Sequence, residues 1–226
     1  MEIAATISPI TPELKGITIA RVNGAFGTKE QIRQLLLPYQ QKGITTFIDL
    51  PRQRKKMRTN QYTDRELLEL AQVSKFSYVA VSYVDSPDDL IYNYPTLAKI
   101  ETATGLANID QIAAKADMII VDRRDLATAI GITQVPMAVK KIIESTHRHG
   151  KKIILASEFL INMVNGGEPS LAEVHNVLEA GANGADYLLL AEETALGKDP
   201  QAIIDLIGSV MKSKEELIIN QPSHVA

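Results

Sequence analysis

Two short segments place charged side chains directly after apolar, β-branched runs. The first carries Lys99 and Glu101, and the second, MIIVDRRD, ends in Asp125. Charged groups that follow buried strands are costly unless they have partners, so such clusters are typical of functional sites. Glu101 and Asp125 could hold one Mg²⁺ or Mn²⁺, because hard divalent cations prefer oxygen ligands. Lys99 lies two residues before Glu101 and therefore faces the same way along a strand.

These residues also have structural interpretations. Lys99 and Glu101 could form an ion pair that stabilises the interior of a fold, and the RRD sequence after Asp122 could belong to a solvated loop. A basic run at residues 51–58 is more often a solvated surface than a phosphate site. His147 and His149 are predicted at the end of a helix, and no histidine is assigned a catalytic role. The sequence alone leaves these alternatives open.

The elements that position these residues follow from eight short apolar runs. Most are too continuously apolar for a sheet with one wet face, so they are predicted to be buried parallel strands. They lie at residues 3–7, 17–22, 45–50, 78–84, 97–101, 118–122, 152–157 and 187–192. Helical patterns separate them at residues 28–43, 63–72, 135–150, 170–181 and 199–213.

This alternation predicts an α/β fold, a (β/α)8 TIM barrel. The barrel is expected to be a single domain over residues 1–219, followed by a C-terminal tail at 220–226. Residues between 7 and 17 leave room for little helix, so the first crossover is predicted to be shortened. In this fold the chemistry collects at the C-terminal ends of the strands. Three more polar residues at such ends are Arg21, Asn23 and Ser157.

Composition narrows the class of protein. The 226 residues contain no cysteine, which excludes disulfides, a thiol nucleophile and a thiolate metal site. The net charge of −3 and the aromatic content of 5% argue against a nucleic acid partner. No run is long and apolar enough to predict a membrane partner, and the N-terminus lacks a signal-peptide pattern. We therefore expect a cytoplasmic protein, and the sequence is compatible with a homo-oligomer.

Several segments resemble the barrel domain of pyruvate kinases. LAKIETATGLANIDQIAAKADMIIVDRRDLA is similar to the family's KIEN-x-G and VARGDLG motifs, and KKIILASEFLINM is similar to its ATQML motif. AEETALGKDP resembles SGETA-x-GKYP, and ITIARVNGAFG resembles NVARLNFSHG. The resemblance covers nearly the whole chain. A shorter similarity, in IET and DL, relates the chain to metal-dependent 2-oxo-acid aldolases.

The resemblance implies a role for individual residues. Lys99 would stabilise the negative charge of an enolate or of a transferring phosphoryl group, while Glu101 and Asp125 would bind Mg²⁺ or Mn²⁺. Arg21 would contact a phosphate or carboxylate, and Ser157 would act as a proton relay near the enolate carbon. Further residues predicted to contact the small anionic substrate are Asn23, Arg123, Arg124 and Arg58.

The sequence also departs from the family's pattern. The four positions of its potassium site are occupied by Asn23, Ala25, Asp49 and Leu50, so two ligands are lost and K⁺ dependence is not expected. Arg124 stands where a glycine would bring its backbone amide to the substrate carboxylate. We therefore expect neither the family's lid domain after the third strand nor its regulatory domain after the barrel. The lid helps to close the nucleotide site, so its absence disfavours phosphoryl transfer to or from ADP or ATP.

The leading interpretation is a pyruvate kinase-like, lidless enzyme. It would bind phosphoenolpyruvate, pyruvate or a related 2-oxo acid through a divalent metal and would stabilise the enolate of that substrate. Three alternatives stay open. They are a metal-dependent aldolase, lyase or decarboxylase that releases pyruvate, a kinase whose lid comes from a partner, and a non-catalytic binding protein.

Overall fold

Eight parallel strands pair in chain order, and β8 pairs with β1, so the sheet closes into a barrel. The computed structural model describes residues 1–52, 59–191 and 197–219. The strands are β1 Glu2–Thr6, β2 Ile19–Asn23, β3 Thr45–Leu50, β4 Tyr78–Val81, β5 Thr96–Ile100, β6 Met118–Asp122, β7 Lys152–Ala156 and β8 Tyr187–Leu190. The predicted (β/α)8 barrel is therefore confirmed. The tail predicted at 220–226 lies outside the described residues.

Helices occupy most of the crossovers between the strands. They are α1 Lys29–Gln41, α2 Asp64–Ser74, α3 Ala103–Ala107, α4 Ile109–Lys115, α5 Arg123–Ile130, α6 Val135–Arg148, α7 Ile161–Val164, α8 Leu171–Ala182 and α9 Pro200–Ile219. Thr63 and Ser170 begin α2 and α8 with capping boxes, in which a side chain satisfies an otherwise unpaired backbone amide. His149 caps the C-terminal end of α6, so the predicted helix end is confirmed.

The first crossover contains no helix in residues 7–18, all of which the structure describes. Leu14 and Ile17 of this segment are buried and join the apolar layer outside the barrel. The prediction of a shortened first crossover is confirmed. The crossover from β4 to β5 is also reduced, to a single 3₁₀ turn at Pro87–Asp89.

The segment after β6 is helical, so the solvated-loop alternative for the RRD sequence is wrong. Asp122 is the N-cap of α5, and its side chain accepts a hydrogen bond from the backbone amide of Asp125. An aspartate at this position satisfies an amide that the helix leaves unpaired. Arg123, Arg124 and Asp125 consequently form the first turn of α5 at the rim of the barrel.

α5 and α6 are joined by a 3₁₀ turn at Ile132–Gln134 and bend by 116° relative to each other. Within the described part of the chain, no single helix is long and apolar enough to cross a membrane, and only this bent pair passes on length and composition together. The apolar residues Ala138, Ile142 and Ile143 of α6 are buried in the layer between the helices and the barrel.

The core has two layers because successive side chains of a strand point to opposite faces. The outer layer lies between the strands and the helices and includes Ala98 and Ile100 of β5. Leu97, on the opposite face of β5, belongs to the apolar cluster inside the barrel. Lys99 shares the face of Leu97, one step closer to the C-terminal end. The same alternation directs Arg21 of β2 to the interior, after Ile19.

Candidate active site

Buried polar side chains gather at the C-terminal mouth of the barrel. They surround a cavity of about 50 Å³. The residues that line it are Arg21, Asn23, Asp49, Pro51, Ser82, Tyr83, Lys99, Glu101, Asp122 and Asp125. The predicted residues Arg21, Asn23, Lys99, Glu101 and Asp125 are thus brought together in one place.

Lys99 lies between two carboxylates inside the mouth. Its Nζ atom is 2.8 Å from Oε1 of Glu101 and 3.5 Å from Oδ2 of Asp49. Burial alone would lower the pKa of Lys99, but the charges of Glu101 and Asp49 raise it well above its usual range. Lys99 therefore stays positively charged, as a group that stabilises an anion must.

Glu101 is fixed through both carboxylate oxygens. Oε1 pairs with Lys99, and Oε2 accepts a hydrogen bond of 2.6 Å from the backbone amide of Tyr83. Tyr83 has a φ of 52°, a left-handed conformation that is uncommon for a residue with a side chain. Burial raises the pKa of Glu101, although Lys99 acts in the opposite direction. A cation bound beside Oε2 of Glu101 would favour the ionised form of this carboxyl group.

Three carboxylates form a cluster next to Lys99. Oxygen atoms of Glu101, Asp122 and Asp125 all lie within 4.8 Å of one another. Among the described residues that line the cavity, four carboxylates face only two cations, Arg21 and Lys99. This excess of negative charge and the all-oxygen donor set fit a hard divalent cation.

The sequence predicts only Glu101 and Asp125 as metal ligands, and the structure adds Asp122 to the cluster. Its position as the last residue of β6 is the signal that could have identified it, since strand ends converge at the barrel mouth. Its Oδ1 atom also accepts from the amide of Asp125 at 3.5 Å, so one aspartate caps the helix that presents the other.

Arg21 is held inside the mouth by a two-pronged ion pair with Asp49. Nη2 lies 2.5 Å from Oδ2 and Nε lies 3.3 Å from Oδ1, while Nη1 donates to the hydroxyl of Thr6 at 2.9 Å. Asn23 lies opposite Asp49 in the β2–β3 register, and its Oδ1 atom accepts from the amide of Ala25. Both predicted binding residues are thereby oriented toward the cavity.

Ser157 follows β7 and reaches the acidic cluster through Asp122. Its hydroxyl donates to Oδ1 of Asp122 at 2.8 Å. Ser157 is buried and has a φ of 70°, and Glu158 after it has a φ of 61°. The chain turns sharply here, which aims the serine hydroxyl back toward β6.

The arginines of α5 lie away from the cavity. Arg123 donates to the carbonyl of Ser157 through Nε at 3.1 Å and to Oδ1 of Asn176 at 2.9 Å, and its guanidinium lies 3.9 Å from the ring centre of Phe159. Burial lowers the pKa of Arg123 to about 10. Arg124 is half-exposed and pairs with Glu158 at 2.7 Å. Arg58 lies outside the described residues.

The comparisons with known proteins agree with this geometry. The family model "Pyruvate kinase, barrel domain" matches residues 87–204, which include Lys99, Glu101, Asp122 and Asp125. The chain belongs to the pyruvate kinase family. It is 34% identical to the pyruvate kinase of Thermotoga maritima over 68% of this chain, and 32% identical to that of Methanocaldococcus jannaschii over 75%. These alignments cover 35% and 40% of the two relatives, so the chain spans well under half of their length.

Two features of the chain bear on what the resemblance implies for the mouth. The side chains of Ala25 and Leu50 are apolar and fully buried, at positions where the resemblance implies potassium ligands. The short segment at residues 51–63 joins β3 to α2, where the resemblance implies a lid domain.

Proposed function

We propose that this chain binds a 2-oxo acid or its enol phosphate at the barrel mouth and stabilises the enolate of that substrate. The observation that carries the proposal is the position of Lys99, 2.8 Å from Glu101 and beside the three-carboxylate cluster. A fixed cation next to a divalent metal site stabilises developing negative charge in a buried site, which is usually the largest catalytic contribution.

Glu101, Asp122 and Asp125 are the residues that would hold Mg²⁺ or Mn²⁺. When bound, such an ion would supply a Lewis acid that polarises the carbonyl group of a 2-oxo acid. Lys99 supplies positive charge on the other side of Glu101. The pKa of Lys99 lies above its usual range, so it acts as a fixed charge and hydrogen-bond donor rather than as a base.

Arg21 and Asn23 face the same cavity and are the groups that would orient a substrate carboxylate or phosphate. Asp49 holds the guanidinium of Arg21 in place, so little side-chain entropy is lost on binding. Ser157 would act as a proton relay between the substrate carbon and solvent, and its hydrogen bond of 2.8 Å to Asp122 orients the hydroxyl. Arg123 and Arg124 are oriented away, so we assign them no direct contact in this proposal.

Phosphoryl transfer is not part of the proposal. That reaction needs both substrates closed into one site with the charge around the phosphoryl group neutralised. Only the sequence at residues 51–63 separates β3 from α2, which is too short for an inserted lid domain. The buried apolar side chains of Ala25 and Leu50 likewise give no support for a K⁺ requirement. The absence of nucleic acid and membrane partners, the cytoplasmic location and a possible homo-oligomer stay predictions from the sequence.

The experiment is deuterium exchange into the methyl group of pyruvate, followed by NMR in D2O with Mg²⁺ or Mn²⁺. We expect exchange that depends on the metal and is lost in Glu101→Gln. No metal-dependent exchange above that variant would overturn the proposal. A parallel assay for pyruvate formation from phosphoenolpyruvate and ADP identifies a kinase, and nucleotide-free release of pyruvate from longer 2-oxo acids identifies a lyase.

A further inference from the structure

The shortened first crossover leaves an apolar groove beside the barrel mouth. In a regular barrel a helix would cover the outer face of β1 and β2, but residues 7–18 form none. A groove of about 280 Å³ opens between this segment and α1. Its apolar walls are formed by Ile7, Pro9, Val22, Phe26, Ile32 and Leu35.

The groove adjoins the anionic cavity. Asn23 lines both spaces. Thr6 lines the groove, and its hydroxyl accepts a hydrogen bond from Arg21, which lines the cavity. The two spaces therefore meet at Asn23, at the C-terminal end of β2.

The polar groups of the groove are engaged with the protein itself. The Ser8 hydroxyl bonds to that of Thr11 at 2.7 Å, and Oε1 of Gln31 accepts from the amide of Thr28 at 2.8 Å. Oδ1 of Asn23 accepts from the amide of Ala25. A sugar or a base placed in such a groove would leave polar atoms poorly paired, whereas a hydrocarbon chain would not.

We propose that the groove binds the aliphatic side chain of the substrate, which is then a 2-oxo acid longer than pyruvate. The mouth cavity of about 50 Å³ is small, and ligand pockets usually begin near 300 Å³. The groove supplies further space, and its walls are mainly apolar. This inference rests on the proposed function for the position of the head group, and it adds the class of substrate.

The test is isothermal titration of the protein, in the presence of Mn²⁺, with a series of straight-chain 2-oxo acids from pyruvate to 2-oxohexanoate. Burying one methylene tightens binding roughly fourfold, so the dissociation constant is expected to fall by about that factor with each added carbon. A dissociation constant that stays constant or rises along the series overturns the inference.

Variants locate the effect in the groove. Leu35→Phe fills the groove and is expected to remove the dependence of affinity on chain length. If Leu35→Phe does not fold, Phe26→Gln serves instead, because it makes the groove wall polar and is expected to weaken that dependence. Leu70→Phe is the matched control, because Leu70 is also half-buried but lies on α2, outside the groove. Equal losses in Leu35→Phe and Leu70→Phe overturn the inference.

The same series separates this inference from the proposed function. Binding of pyruvate without any dependence on chain length overturns the groove assignment and leaves the proposed function in place. A dependence on chain length that persists in Lys99→Met, with the affinity for every acid the same as in the wild type, supports the groove and contradicts the proposed position of the head group. The absence of binding by every acid contradicts both.

Discussion

The backbone amide of Tyr83 donates a hydrogen bond of 2.6 Å to Oε2 of Glu101. The carbonyl of Tyr83 in turn accepts from Nη1 of Arg52 at 2.9 Å, and Nη2 of Arg52 pairs with Asp89 at 2.5 Å. Tyr83 holds a left-handed conformation, which persists only when its surroundings constrain it. Arg52 therefore helps to position Glu101, although it does not touch it.

Replacing Arg52 by methionine should weaken metal binding. Outer groups that orient a metal ligand typically contribute 10–100-fold in affinity, so we expect Mn²⁺ to bind about tenfold more weakly in Arg52→Met. Electron paramagnetic resonance of free Mn²⁺ measures this. Arg65→Met is the control, because Arg65 forms an exposed ion pair with Glu69 on α2. Equal affinities in the two variants would contradict a positioning role for Arg52.

Asp122 should contribute to the metal site as a ligand. Asn also caps helices well, so Asp122→Asn removes one negative charge while the start of α5 is kept. We expect the affinity for Mn²⁺ to fall at least about tenfold, in the range seen when a metal site is disturbed. Asp110→Asn, at an exposed aspartate of α4, is the matched control. Unchanged affinity in Asp122→Asn would limit the site to Glu101 and Asp125.

Metal affinity should depend on pH. Burial raises the pKa of Glu101 in the metal-free protein, so this carboxyl takes up a proton at a higher pH than an ordinary glutamate does. Protonation of Glu101 competes with metal binding, so the affinity for the metal is expected to fall as the pH is lowered. The fall should begin at a pH above the range in which an ordinary glutamate takes up a proton. Titration with Mn²⁺ at several pH values checks this. Constant affinity down to the ordinary pKa of glutamate would contradict the coupling of a raised Glu101 pKa to metal binding.

Arg123 should matter for stability more than for binding. Arg123→Met removes the donor to the buried carbonyl of Ser157 and to Asn176, and an unpaired buried group costs about 1–3 kcal/mol. Urea unfolding measures the loss. Arg124→Met should cost less than about 1 kcal/mol, because the pair with Glu158 is half-exposed. A fully stable Arg123→Met protein that no longer binds substrate would instead support the prediction from the sequence that Arg123 contacts the substrate.

The sequence predicted the parts of the site that depend on strand periodicity. Lys99 and Glu101 are two residues apart, and the alternation of a buried strand directs both to the mouth. The capping boxes at Thr63 and Ser170 can also be predicted from the sequence, because residue types and spacing are enough to identify this motif.

The remaining features depend on conformation or on long-range contacts. The left-handed backbone of Tyr83 has no signal in its residue type, so the hydrogen bond to Glu101 could not be predicted. The orientation of Arg123 is determined by Asn176 and Phe159, which lie far along the chain. The sequence predicts that the first crossover lacks a helix. It does not give the volume of the groove that results or the residues that line it.

The proposed function depends most directly on the positive charge of Lys99, and one reaction rate measures the effect of that charge. The rate is the exchange of the pyruvate methyl protons in D2O, compared between the wild type and Lys99→Met at saturating Mn²⁺. Removing a group that stabilises a developing oxyanion costs about 100-fold or more in rate, so we predict a loss of that size with metal still bound. An unchanged rate in Lys99→Met would contradict the proposed function.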